Sequence, residues 1–115
     1  SEKDYNLIIT TDHGTINVET PSKIIGDRDS SSNIRYKTGR RLKSDDKNIY
    51  MENHPDKIGL PSINLSSSYV FAKSNQYLIY PSNYNHFVKY YKNTYQHGGI
   101  SLQEMCIPFS FFSPK

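Results

Sequence analysis

Residues 6–14, Asn6-Leu7-Ile8-Ile9-Thr10-Thr11-Asp12-His13-Gly14, are the stretch on which the reading of the fold turns. The first six are β-branched and apolar over a strand's length, the composition of a strand that fills a core. The run ends abruptly in a carboxylate, an imidazole and a glycine. Within a strand, neighbouring side chains point to opposite faces, so Asp12 and His13 cannot reach one point while the strand continues. At a strand end followed by Gly14 the backbone can turn and the two can converge. A carboxylate beside an imidazole is an ordinary ligand set for zinc or manganese. The commoner use of such a tripeptide is a turn capped by the aspartate, with the histidine in solvent.

Working outward, Thr15 to Val18 reads as a second strand, and Pro21 is expected to close that unit. From Ser22 to Asp46 apolar residues give way to charge, Ser and Gly, so a long polar excursion with little regular structure is expected. Asn48 to Glu52 alternates weakly, as an edge strand does, and Gly59 to Pro61 makes a turn. Ser68–Ala72 and Gln76–Tyr80 are two strand-length runs separated by Lys73–Asn75, the pattern of a β-hairpin. Tyr84 to Tyr95 spaces its aromatic residues as a short amphipathic helix does. Gln96-His97-Gly98-Gly99 breaks that pattern. Ser101 with Glu104 three residues on is a capping box, and Met105 to Phe112 is a last apolar strand, with Pro108 marking an edge or bulge. Without an internal repeat or a linker, residues 1–115 read as a single segment.

The whole chain has 115 residues, the size of one modest domain. Twelve Ile and ten Tyr stand against six Leu and one Ala. That balance suits pleated strands and excludes an all-α fold. No apolar run is long enough to span a bilayer, and no basic-then-apolar stretch reads as a secretory leader, so nothing in these residues is expected to mark the chain for secretion. Cys106, the single cysteine, cannot form an internal disulfide, fits a reducing cytoplasm, and sits in an apolar run that reads as packing. The formal charge of +3 is too small to mark a nucleic-acid binder by itself. The start at Ser1, almost directly on an apolar strand, reads as a piece of something longer.

Two further features could carry chemistry. His97-Gly98-Gly99 places an imidazole before paired glycines, which let a backbone approach a ligand closely; a flexible loop with a solvated histidine is the alternative. Lys23, Arg28, Arg35, Lys37, Arg40, Arg41, Lys43 and Lys47 form a basic stretch. Arginine grips phosphate oxygens bidentately, so Arg35, Lys37 and Arg28 are the expected phosphate contacts. Asp27, Asp29, Asp45 and Asp46 partly neutralise the stretch, and a solvated loop is the competing reading. His54 and His86 read as surface histidines. The tyrosines could stack bases, though such residues more often pack one face and hydrogen-bond at the other.

The order IITTDHGTI, GDR, RYKTGR, IGLP, YVFA, QYLIYP and QHGGISLQEM, with a following proline, resembles the PglZ domain of the alkaline phosphatase superfamily. The resemblance runs from about Asn6 to Pro108. It is strongest to the C-terminal part of PorX-type response regulators of Bacteroidota, in which a receiver domain precedes the PglZ domain. The resemblance implies an α/β fold, here the strand-rich C-terminal portion with few short helices, and two divalent metal ions, commonly zinc, at the carboxyl edge of a mostly parallel sheet. Asp12 and His13 match the strand-end pair that binds one ion, and His97 matches the late histidine that binds the other. The Thr or Ser nucleophile, a further Asp, and the second ion's Asp and His have no match in this chain and are expected upstream of Ser1. Thr10 and Thr11 read as β-formers.

The implied activity of the intact parent is metal-dependent hydrolysis of a phosphate ester, a diester such as a nucleotide or oligonucleotide above all, in a cytoplasmic response regulator. This chain alone is expected to bind metal weakly, to be inactive and to self-associate, and a homodimer is compatible with that. The alternatives are a non-catalytic signalling or dimerisation module with a structural metal site, and an oligonucleotide-binding surface.

Overall fold

The computed structural model describes residues 4–28 and 32–115, apart from the side chain of Arg28. In chain order they form β1 (Leu7–Thr10), β2 (Ile16–Val18), β3 (Thr20–Lys23), β4 (Ile25–Arg28), β5 (Tyr36–Lys43) and β6 (Ile49–Glu52). A 3-10 turn (Pro55–Ile58), β7 (Ser67–Ala72), β8 (Gln76–Ile79), α1 (Tyr84–Tyr91), β9 (Thr94–Gln96), α2 (Leu102–Met105) and β10 (Phe109–Phe112) follow. The architecture is strand-rich with few short helices, consistent with the expected portion of an alkaline-phosphatase-like domain. Among the described pairings only β3 with β8 is parallel.

All four residues of β8 are buried, because both of its faces are covered. Tyr77 and Ile79 point one way, onto Ile16, Val18 and Ile34 and onto Tyr84, Phe87 and Tyr91 of α1. Those three helix residues fall at i, i+3 and i+7, one stripe of an α-helix. Leu78 points the other way, onto Ile24, Leu42, Ile49, Val70 and Ala72. The last four line the inner face of an antiparallel sheet ordered β4-β5-β7-β6. The core therefore consists of two apolar layers on either side of one short strand.

Several expectations are corrected. The two runs around Lys73–Asn75 are strands but not a hairpin: β7 already pairs with β5 and β6, so β8 joins β3 instead. The segment from Ser22 to Asp46 is not an irregular excursion. It holds β4 and β5 and buries Ile24, Ile34 and Leu42; residues 29–31 lie outside the description. Pro21 does not end a unit but sits within β3, opposite Tyr77. The apolar run of β1 is a strand without being buried: its one partner among the described residues is β10, and Leu7, Ile8 and Ile9 are each more than half exposed. Cys106 faces solvent. By contrast β6 is an edge strand, α1 forms over Tyr84–Tyr91, the first part of the aromatic stretch, with Tyr95 in β9 instead, and the Ser101–Glu104 capping box is present.

Candidate metal centre

The pairing of β2 with β9 decides where the two glycine-flanked histidines go. Their antiparallel register sets Ile16 opposite Gln96. Carried one step further, it puts His97 beside Thr15, two residues from His13. The imidazoles of His13 and His97, 84 residues apart in sequence, stack at 3.6 Å between ring centres and 11° between planes. His13 Nδ1–H donates to the carbonyl of Gly14 at 2.7 Å. A carbonyl can only accept, so this bond puts a proton on Nδ1 and leaves the neutral ring's lone pair on Nε2. Nε2 lies 3.5 Å from Asp12 Oδ1, on a side chain that is 91% exposed. A backbone carbonyl fixing the far nitrogen of an imidazole is the usual support for a metal-binding histidine.

Both loops are held by Glu104 on α2. Gly14 N–H donates to its main-chain carbonyl at 2.8 Å. A Cβ on Gly14 would fall inside the carbonyl oxygen of Gln103, so only glycine permits this approach. The Glu104 carboxylate accepts from Gly99 N–H at 2.9 Å, Ser101 N–H at 3.1 Å and the Ser101 hydroxyl at 2.5 Å. Arg35 grips the same carboxylate in a fork, Nε to Oε1 at 2.6 Å and Nη2 to Oε2 at 2.8 Å. A Cβ on Gly99 would lie 2.7 Å from Glu104 Oε2 and 2.9 Å from Arg35 Nε. Burial pushes the Glu104 carboxyl up, but the bonds from Arg35, Ser101 and Gly99 outweigh it and hold it below its ordinary value. Asn33 adds a tether, donating from Nδ2 to the His97 carbonyl at 3.1 Å.

Arg35, expected as a phosphate contact, is fully buried, and its guanidinium is turned inward onto Glu104 and the carbonyls of Gln76 and Ala72. Lys37 is also buried, on the inner sheet face opposite Val70, with its ammonium 5.3 Å from the centre of the Tyr80 ring. These placements turn both side chains away from solvent, contrary to their expected use as phosphate contacts and to the competing reading of a solvated loop. The side chain of Arg28 lies outside the described residues. Arg40 and Arg41 are exposed side by side, because a bulge between β4 and β5, with Arg41 at φ 55° and Gly26 at φ 141°, interrupts the alternation. Thr10 donates its hydroxyl to the Pro108 carbonyl at 2.7 Å, a strand-edge contact. Among the described residues no three His, Cys, Asp or Glu side chains gather closely enough to hold an ion. His54 and His86 are exposed, as expected.

Sequence reasoning found the histidines and the capping box but missed Asn33 and the pairing of Arg35 with Glu104. The only signal was a lone Arg ahead of an alternating run, which names no partner.

The strand-rich scaffold with few short helices is consistent with part of an alkaline-phosphatase-like domain. The model of the BREX system PglZ alkaline phosphatase-like domain matches residues 2–111, and the chain belongs to that family. No curated protein matches it.

Proposed function

We propose that this chain supplies one wall of a two-metal phosphohydrolase site, and that the intact protein hydrolyses a phosphodiester such as a nucleotide or oligonucleotide. The observation that carries the reading is the parallel stack of His13 and His97. An imidazole lone pair lies in its ring plane and binds zinc at about 2.0–2.1 Å. Two stacked rings whose centres are 3.6 Å apart and whose planes lie within 11° of parallel do not aim their lone pairs at one ion. They suit two ions instead, and the ions of two-metal sites sit about 3.5–4 Å apart. Asp12 and His13 would hold one and His97 the other, with the remaining ligands and the nucleophile contributed from outside these residues. The ions, when bound, activate the nucleophile and screen charge on the phosphoryl oxygens. The chain's own part is to fix the His13 tautomer through Gly14 and to present the Asp12 carboxylate in solvent. A receiver domain ahead of this segment, in a cytoplasmic response regulator, completes the reading.

The test is hydrolysis of bis-p-nitrophenyl phosphate by the intact protein, before and after chelation and after zinc is restored. Activity lost on chelation and regained with zinc, with His13→Ala and His97→Ala each binding one ion fewer, is the expected result. Turnover that survives chelation overturns the reading, and bound metal without turnover points to a signalling module.

The second reading, an oligonucleotide-binding surface, is favoured by the outer face of the β4-β5-β7-β6 sheet. Tyr36, Tyr50 and Tyr69 ring Phe71 there, with centroids 6.1–6.4 Å from its own. Arg40 and Arg41 stand exposed at one end. Aromatic tiles beside arginines are a stacking platform for single strands. Binding that falls steeply with salt and survives chelation supports it.

A further inference from the structure

We infer that Glu104 and Arg35 are positioning residues that set the spacing of the His13 and His97 rings. In the two-metal reading, on which this part of the inference rests, the same clasp sets the separation of the ions. Glu104 is the one described residue that grips both histidine loops, Gly14 through its main-chain carbonyl and Gly99 through its carboxylate. Arg35 ties that carboxylate to the body of the fold. Its guanidinium donates to the carbonyls of Ala72, at the end of β7, and Gln76, at the start of β8. An unbroken path of hydrogen bonds therefore runs from the core strands through Arg35 and Glu104 to each loop.

A capping box needs none of this. The glutamate of such a box ordinarily reaches one backbone N–H at a helix start, whereas this carboxylate takes five donations on a side chain that is 1% exposed. A buried ion pair is a poor source of stability, since apolar residues of similar volume often do as well or better. Its use here is geometric. Gly98, at φ 103°, and Gly99 give the His97 loop a backbone freedom that only fixed partners can remove. Asn33 supplies one more, through the His97 carbonyl, and accepts from Arg35 N–H at 2.7 Å. The clasp and the tether thus join at Arg35.

The experiment compares the native protein with Glu104→Gln and Asn33→Ala by NMR of the histidine ring protons and of the core residues Tyr77, Val70 and Leu78, without metal and then during zinc titration. In the native protein the stacked rings shift one another's protons upfield. Glu104→Gln keeps the shape of the side chain but removes its charge and presents a donor to groups that donate. It should return the ring protons of both histidines toward free-histidine positions while core signals stay in place. Asn33→Ala, which releases one tether of the His97 loop, should move both sets in the same direction by a smaller amount, because the two rings shift one another. Zinc affinity should fall by about 10–100-fold in Glu104→Gln, the range for lost outer-shell partners. Native ring shifts in both variants overturn the clasp, whatever the metal does. So does loss of core signals in step with the ring signals in both variants, which would make the pair purely structural. Native protein that binds no zinc, yet shows the ring shifts moving as described, sinks the two-metal reading and leaves the clasp standing.

Discussion

Replacing Arg35 with Met tests the buried pair by removing its charge at similar bulk. Arg35 is 0% exposed and Glu104 4%, so the variant strands a carboxylate beside only the neutral donors of Gly99 and Ser101. The cost of stripping one partner from a buried pair is about 3–5 kcal/mol. For a domain of this length that corresponds to a fall in Tm of roughly 10–20 °C. The pH dependence separates this cause from lost packing. In the native chain the folded pKa of Glu104 is depressed. Its stabilising contribution is therefore present above the unfolded value, about 4.3, and is lost as pH falls through the folded one. Without Arg35, burial still opposes the charge while the largest influence that lowers this pKa is gone, so the penalty is present at neutral pH and relieved on acidification. Thermal or urea unfolding of both proteins at pH 7 and pH 4 is the assay, and the stability gap should narrow at pH 4. A gap of equal size at both pH values, or a loss under about 1 kcal/mol at pH 7, would show that Glu104 does not depend on Arg35 for its charge.

Gly14→Ala should destabilise the fold by at least about 1–3 kcal/mol through overpacking against the Gln103 carbonyl, measured by urea unfolding; a change within about 0.5 kcal/mol, as at an ordinary surface site, would mean the DHG loop docks differently. The β1–β10 ribbon leaves Leu7, Ile8, Ile9, Phe109, Phe111 and Phe112 more than half exposed, so this chain should self-associate at micromolar concentration, and Ile8→Lys with Phe111→Lys should reduce that in sedimentation velocity without lowering Tm. A native chain that remains monomeric would contradict this. If the aromatic sheet face binds single strands, Arg40→Ala with Arg41→Ala should weaken binding and flatten the salt dependence by about one to two units of slope, while Tyr69→Ala should cost roughly 1–3 kcal/mol of stacking; fluorescence anisotropy against salt reads both, and unchanged slopes would remove the two arginines from the interface.

The sequence alone settles what is local. β-branched and aromatic composition gives a strand-rich chain, the spacing of Tyr84, Phe87 and Tyr91 gives a helix with one apolar stripe, and Ser101 with Glu104 gives a capped turn, because each depends on residues within two helical turns of one another. His13 and His97 stand out for the same reason: each has a glycine next to it. What the sequence leaves open is pairing across distance. Nothing in the run from Gln76 to Ile79 says that β7 has both edges taken and that β3 is free. An apolar run such as β1 carries no sign of whether its cover lies within the chain. Arg35 looks like any cation of a polar stretch until the fold brings Glu104 to it from 69 residues away. Charge and hydropathy are properties of a residue, but burial and partnership belong to the place where tertiary packing puts it.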